Sequence, residues 1–172
     1  WEVALQLREA RPEGIRITLI PGMDFLDLER LAPRQDWEAA LGDDALFPPP
    51  LRPLLPHRPQ DRIVFLLPDT YETPGGSDGV PSLVRAASRA WWGRLGPLVP
   101  SEQRTVAALE RRGILASLVE RESRDDVERP RVAAVFLNRL NRNMPLQSCA
   151  TVIYAWKLQG VKKASLIYRD LE

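Results

Sequence analysis

The sequence predicts an α+β fold, in which a small strand-containing N-terminal portion precedes a mainly helical domain. Residues 15–20 alternate and are rich in β-branched side chains, and Pro21-Gly22 follows them, as expected of a short strand. From Pro81 onwards, apolar residues recur at helical spacing. Between these parts, residues 47–59 contain six prolines and predict an irregular connection.

The elements of the first portion follow from local signals. Residues 1–9 resemble the end of a helix, and residues 15–20 form the predicted strand. Asp24 is placed to cap a short helix through Leu31. A second short helix is predicted over residues 36–41. The apolar run at residues 62–67 is short and flanked by prolines, which favours a strand over a helix. The helix that follows Asp24 has three apolar residues spaced for burial: Phe25, Leu28 and Leu31.

The helical domain begins with a helix over residues 81–95, whose tryptophan pair at 91 and 92 is typical of a core. Ser101 is placed to cap the next helix, which runs to Glu122. Asp125 and Glu128 resemble the capping box of a third helix. Its predicted core residues are Val132, Ala133, Phe136 and Leu140. Short helices are predicted over residues 151–156 and 165–171.

Composition excludes several classes of function. The 172 residues carry a formal net charge of +1, which argues against a nucleic-acid binder that relies on a strong positive field. The single cysteine, Cys149, excludes an internal disulfide and a cysteine-based metal cluster. The single histidine, His57, lies in the proline-rich connection and gives little support to a zinc site or a Ser-His-Asp triad. We therefore expect no metal, no cofactor and chemistry based on carboxylates, amides and hydroxyls.

The strongest catalytic candidate is Glu122. On a helical wheel it falls within the apolar stripe formed by Leu115, Leu118 and Val119, whereas Glu120 falls on the outer side. Burial against apolar neighbours would favour the protonated carboxyl, as a general acid requires. The alternative is that Glu122 ends the helix and pairs with an arginine.

Three ordered blocks carry a family resemblance: residues 115–122 (LASLVERE), 128–140 (ERPRVAAVFLNRL) and 144–154 (MPLQSCATVIY). Together with Leu67-Pro-Asp-Thr-Tyr71 and residues 17–22, they strongly resemble the endolytic murein transglycosylases, the MltG or YceG-like family. The resemblance covers nearly all of the chain. It implies that residues 1–14 are the end of a LysM-like subdomain and that residues 15–172 belong to the transglycosylase catalytic domain.

The resemblance implies a lyase that cuts peptidoglycan glycan strands internally, between N-acetylmuramic acid and N-acetylglucosamine. The reaction is non-hydrolytic and leaves 1,6-anhydro-muramyl ends. The catalytic glutamate of the family, the second of its Glu-x-Glu pair, maps onto Glu122. The family also implies a place in the cell envelope, at the outer face of the cytoplasmic membrane. It implies an upstream membrane anchor and cell-wall synthases as partners.

Further candidate substrate-binding residues follow from the matching blocks. Gln147, Ser148, Thr151 and Tyr154 form a polar cluster suited to sugar hydroxyl and acetamido groups. The alternative is that Gln147 and Ser148 cap the following helix while Tyr154 packs in the core.

Two helical residues and two turn residues complete the set of candidates. Asn138 lies away from the apolar face of its helix and could line a cleft, while Arg139 could pair with an acid and set helix packing. Asp69 and Tyr71 either reach the groove or shape the turn after Pro68, and the structural role is favoured.

The chain departs from the family pattern at one motif. Cys149-Ala150 stand where the family usually has Asp-Pro, which removes a charge beside the expected cleft. Cys149 has no histidine to activate it as a nucleophile. The later Tyr-Asn-Thr-Tyr-like and Gly-Leu-Pro-Pro-Gly-like blocks do not occur before Glu172, and we expect a catalytic domain truncated at its C-terminus. These departures leave open an alternative function, a non-catalytic peptidoglycan-binding or scaffold protein on the same fold.

Overall fold

The computed structural model of the chain describes residues 14–159. Two strands and six α-helices form within this range, so the predicted α+β, mainly helical fold is confirmed. The elements in chain order are β1 (Ile15–Thr18), α1 (Phe25–Leu28), α2 (Arg34–Gly42), β2 (Thr70–Thr73), α3 (Gly79–Leu95), α4 (Val106–Glu122), α5 (Arg129–Asn141) and α6 (Cys149–Leu158). The helices predicted over residues 1–9 and 165–171 lie outside the described residues, as does nearly all of the expected LysM-like portion.

The chain divides into two compact units, one up to Gly113 and one from Ile114. In the first unit, β1 and β2 pair antiparallel, with Ile15 opposite Thr73 and Thr18 opposite Thr70. The Thr18 and Thr70 hydroxyls lie 2.9 Å apart across the pair. The predicted first strand is therefore confirmed, although it ends at Thr18, before Gly22 turns the chain with a φ of 79°.

The core of the first unit lies between α1, α2 and α3. Its largest fully buried side chain, Trp37, donates its indole N–H to the Leu28 carbonyl at 2.9 Å. This bond joins α1 to α2, because Leu28 ends the first helix and Trp37 lies in the second. The central residues of the remaining core are Leu41, Phe47, Leu51, Phe65, Leu83, Val84 and Ala87.

The predicted capping of α1 is confirmed, and its predicted burial is confirmed in part. The Asp24 carboxylate accepts from the Asp27 amide at 3.0 Å, and the Asp27 carboxylate accepts from the Asp24 amide at 3.2 Å. This reciprocal pair closes a capping box. Phe25 and Leu28 are buried, whereas Leu31 is exposed because α1 ends at Leu28.

The predicted strand over residues 62–67 is wrong. Residues Pro59–Phe65 form a 3₁₀-helix, and the second strand forms later, at β2. Arg62 explains the difference, because its buried guanidinium donates to the carbonyls of Pro56 and Leu41, each at 2.8 Å, and to Asp44 at 2.7 Å. These bonds hold the segment in a tight helical turn.

As far as residue 159, the second unit consists of the end of α4, α5 and α6. The described residues that it buries most completely are Val119, Ser123, Phe136, Ser148 and Ala150. Of the four core residues predicted for α5, Phe136 is buried and Val132 and Ala133 are half-buried. Leu140 is exposed, which contradicts its predicted burial, because it lies in the last turn of α5.

Candidate active site

Glu122 is the last residue of α4, and its side chain is exposed. The expected burial of this carboxyl among apolar neighbours is therefore wrong. Leu115 and Leu118 are half-buried and Val119 is buried, so the apolar stripe exists but ends before Glu122. The helix stops there, and Ser123 is the next residue to turn inward.

A buried hydroxyl holds the Glu122 carboxyl. The Ser148 Oγ donates to Glu122 Oε1 at 2.5 Å, although the two residues are 26 positions apart. Within residues 14–159, Ser148 supplies the one hydrogen bond to this carboxyl. The bond leaves Oε2 of the carboxyl without a hydrogen bond from residues 14–159.

Ser148 stands at the N-cap position of α6, with extended backbone angles of φ −96° and ψ 125°. A serine at this position usually accepts a hydrogen bond from an amide in the first turn. Here the side chain makes no capping bond and contacts Glu122 instead. The alternative in which Ser148 caps the helix through its hydroxyl is therefore wrong.

The turn that leads into α6 is sharply bent. Gln147 adopts a left-handed conformation with φ 51°, and its side chain is exposed. Such a conformation costs a non-glycine residue about 1–2 kcal/mol, so surrounding contacts must maintain it. One of them is at the preceding residue, where the Leu146 carbonyl accepts from the Arg139 guanidinium at 2.5 Å. This carbonyl partner replaces the acidic partner that the sequence suggested for Arg139.

Two further candidates lie on α6, beyond Ser148. The Thr151 hydroxyl donates to the Ser148 carbonyl at 2.7 Å. Tyr154 is three residues further along, so it shares a face of α6 with Thr151. Tyr154 is exposed, and the alternative that packs it in the core is wrong. The structure thus joins Glu122, Ser148 and Thr151 by direct contacts.

Asn138 is exposed on α5, on a different side from the buried Phe136. This agrees with its place on the helical wheel, and a role in a cleft stays a prediction. Cys149 is exposed and Ala150 is buried at the start of α6.

Asp69 and Tyr71 lie in the first unit and make the contacts expected of turn residues. The Tyr71 hydroxyl donates to the Leu67 carbonyl at 2.7 Å, and the Asp69 carboxylate accepts from the Thr70 amide at 2.7 Å. Burial, with a smaller contribution from the Asp69 charge, raises the pKa of the Tyr71 phenol. The favoured structural role for this pair agrees with these contacts.

The described part of the chain has no group of three or more His, Cys, Asp or Glu side chains arranged to hold a metal ion. Among the helices formed by residues 14–159, none is both long and apolar enough to cross a bilayer.

Comparison with known proteins identifies the family. The profile of the YceG-like family matches residues 1–172, and the chain belongs to this family. The resemblance stated from the sequence blocks is confirmed.

Three curated relatives carry the same name, endolytic murein transglycosylase. The protein of Bacillus subtilis strain 168 is 29% identical over 108 residues, which cover 63% of this chain and 29% of the relative. That of Streptococcus pneumoniae strain D39 is 38% identical over 94 residues, covering 53% of this chain and 16% of the relative. That of Streptococcus pneumoniae strain R6 is 54% identical over 41 residues, covering 24% and 7%. The chain thus spans less than a third of the length of these relatives. No solved structure matches it significantly.

Proposed function

We propose that the protein to which this chain belongs is an endolytic murein transglycosylase. It cleaves glycan strands of peptidoglycan between N-acetylmuramic acid and N-acetylglucosamine and leaves 1,6-anhydro-muramyl ends. The family membership and the shared name of three relatives support this activity. We further propose that it works at the outer face of the cytoplasmic membrane, beside the cell-wall synthases.

The observation that carries the proposal is the bond between Ser148 and Glu122. It gives an exposed carboxyl a defined orientation, through a hydroxyl that is itself buried. An exposed, oriented carboxyl can reach a polymeric substrate that must enter from the surface. It also keeps Oε2 available for the substrate, because the bond to Ser148 uses Oε1.

One carboxyl suffices for the proposed reaction. Protonated Glu122 donates its proton to the glycosidic oxygen as the bond from that oxygen to C1 of N-acetylmuramic acid breaks. The C6 hydroxyl of the same sugar attacks C1 and closes the anhydro ring, and its proton returns to the Glu122 carboxylate. A hydrolase usually needs a second carboxylate to activate water. Here the nucleophile is tethered to the reacting carbon, which supplies much of the required orientation.

The bound glycan would supply the desolvation that the fold does not. Glu122 is exposed in the free protein, so a sugar ring seated on it would exclude water and strengthen the hydrogen bonds that it makes. We propose that Gln147, Thr151, Tyr154 and Asn138 contact the hydroxyl and acetamido groups of this glycan. Thr151 and Tyr154 suit the role because they share one face of α6, beyond Ser148.

The assignment of the acid is tested with Glu122→Gln in the full-length protein, acting on purified murein. Because general acid catalysis typically contributes about 10²–10⁴-fold, we expect the release of anhydro-terminated glycans to fall by about that factor. The products are measured by mass spectrometry. Glu102→Gln, an exposed residue of the first unit, is the matched control and should retain the rate of the wild type.

Three outcomes would contradict the proposal in different ways. Equal product from Glu122→Gln and wild type, with a loss in Glu120→Gln, would move the acid to the other carboxyl of the pair. Binding of murein by the wild type without any cleavage would favour the scaffold alternative, which the Cys149-Ala150 departure motivates. Reducing ends in place of anhydro ends would identify a hydrolase.

A further inference from the structure

The residues between α5 and α6 form a loop, residues 142–148, that ends at the partner of Glu122. Two of its residues adopt left-handed conformations, Asn143 with φ 52° and Gln147 with φ 51°. This backbone conformation is unfavourable for any residue that has a Cβ atom. A loop with two such residues needs contacts that hold it in this shape.

Arg139 contacts this loop at two points. Its backbone carbonyl accepts from the Met144 amide at 2.8 Å. Its guanidinium Nη1 donates to the Leu146 carbonyl at 2.5 Å. The side chain is half-buried, which reduces the competition from water for this bond. Arg139 therefore fixes both the beginning and the end of the stretch from 144 to 146.

The second contact lies two residues before Ser148. The bond from Arg139 to the Leu146 carbonyl affects the site directly, because Ser148 supplies the one hydrogen bond that the described residues make to the Glu122 carboxyl. A shift of the Leu146 carbonyl would move Gln147 and Ser148 with it. The exposed Glu122 side chain would then lose its orientation.

We propose that Arg139 is a positioning residue, which holds the Leu146 carbonyl and thereby keeps Ser148 against Glu122. This inference rests on the proposed function of Glu122 as the acid of a transglycosylase. Arg139 acts through the loop and is assigned no contact with substrate. Its effect should therefore appear in the chemical step and should require Ser148.

The test compares Arg139→Met, Ser148→Ala and the double variant in the full-length protein, with kcat and KM measured on soluble glycan strands. Because small misplacements of catalytic groups are costly, we expect each single variant to lower kcat by about tenfold or more while KM stays within about twofold. The double variant should have the kcat of the lower single variant, since both changes remove the same positioning. Arg139→Lys retains a donor and should recover part of the rate.

Arg131→Met is the matched control, because it removes one exposed positive charge from the same helix without touching the loop. It should retain the kcat of the wild type. A comparable loss in this variant would mean that general charge attraction of the glycan explains the effect of Arg139, and would overturn the inference.

Three further results separate the possible failures. Wild-type kcat in a folded Arg139→Met variant, with Glu122→Gln inactive, would overturn the role of Arg139 alone. Losses that multiply in the double variant would show that Arg139 acts independently of Ser148, which also overturns it. Full activity of Glu122→Gln would instead overturn the assigned acid. If thermal melting shows that Arg139→Met does not fold, Arg139→Gln takes its place, because its shorter amide falls short of the Leu146 carbonyl.

Discussion

The phenol of Tyr71 illustrates how a single polar side chain stabilises a turn. Its hydroxyl donates to the Leu67 carbonyl, across Pro68, Asp69 and Thr70. Burial raises the pKa of Tyr71, and the neighbouring Asp69 charge adds to this effect. Since the pKa is raised in the folded state, the linked stability is complete below the ordinary value of about 10. It is lost as the pH rises through the folded value.

Tyr71→Phe should therefore lower the free energy of unfolding by about 0.5–1.5 kcal/mol at neutral pH, the usual net worth of one hydrogen bond. Above about pH 10, wild type and variant should converge, because the wild type loses the contribution of the protonated phenol. Urea denaturation at neutral pH, and again above about pH 10, measures the difference in the free energy of unfolding between wild type and variant. A gap that widens with pH would contradict the structural role.

The contrast between Glu122 and Ser148 shows what the sequence predicts at the scale of residues. The helical wheel and the family blocks select Glu122, and they place Ser148 nearby. They do not predict the exposure of Glu122, because the wheel continues the apolar stripe to Glu122, whereas in the structure the stripe ends before this last residue of α4. Nor do they predict the direct bond between the two, because hydroxyl orientation depends on a loop with two left-handed residues.

At the scale of elements, the beginning of α4 depends on Thr105 rather than on Ser101. The Ala108 amide donates to the Thr105 hydroxyl at 3.2 Å, as expected of an N-cap residue. Ser101 belongs to a separate 3₁₀ turn, Ser101–Gln103, and its hydroxyl contacts Glu102 at 3.3 Å. The predicted cap at Ser101 is wrong, since that turn ends before α4 begins.

Thr105→Ala should cost about 1 kcal/mol of stability, because it leaves the Ala108 amide without its capping oxygen. Ser101→Ala is the matched control and should change stability by less than about 0.5 kcal/mol, as exposed substitutions usually do. Thermal or urea denaturation of the two variants gives the comparison. Equal losses would show that the cap does not limit the stability of α4.

The other element that the sequence failed to predict has a similar cause. Residues 62–67 are apolar and short, which is compatible with a buried strand, yet no strand-pairing signal can be read from them. The 3₁₀ conformation depends on the bonds from Arg62 to Pro56 and Leu41, which only the folded chain brings within reach. The long helix α3, with its regular apolar spacing, is predicted well. Local periodicity is enough to predict α3, whereas the 3₁₀ segment depends on contacts between residues that are distant in the chain.

At the scale of the whole molecule, the helices of the two units differ in how completely their side chains are buried. In the first unit, α3 carries three apolar side chains with no exposed surface: Leu83, Val84 and Ala87. In the second unit, Ala150 is the one buried residue of α6, while Val152, Tyr154 and Leu158 are exposed. Local opening free energies follow such differences in burial.

We therefore expect amide hydrogen exchange to be slowest in α3 and much faster in α6. Exchange measured by mass spectrometry on the full-length protein, at neutral pH, would resolve the two helices as separate peptides. Protection in α6 equal to that in α3 would contradict this, and would mean that α6 is stabilised by contacts beyond those of residues 14–159.

The separation of Glu122 and Ser148 along the chain also has a consequence for synthesis. The carboxyl is translated 26 residues before the hydroxyl that orients it. At about 5–20 residues per second, a ribosome needs roughly one to five seconds to add them. During that interval the nascent polypeptide contains its proposed acid without the means to orient it. Cleavage competence would therefore arise only after translation has passed the start of α6.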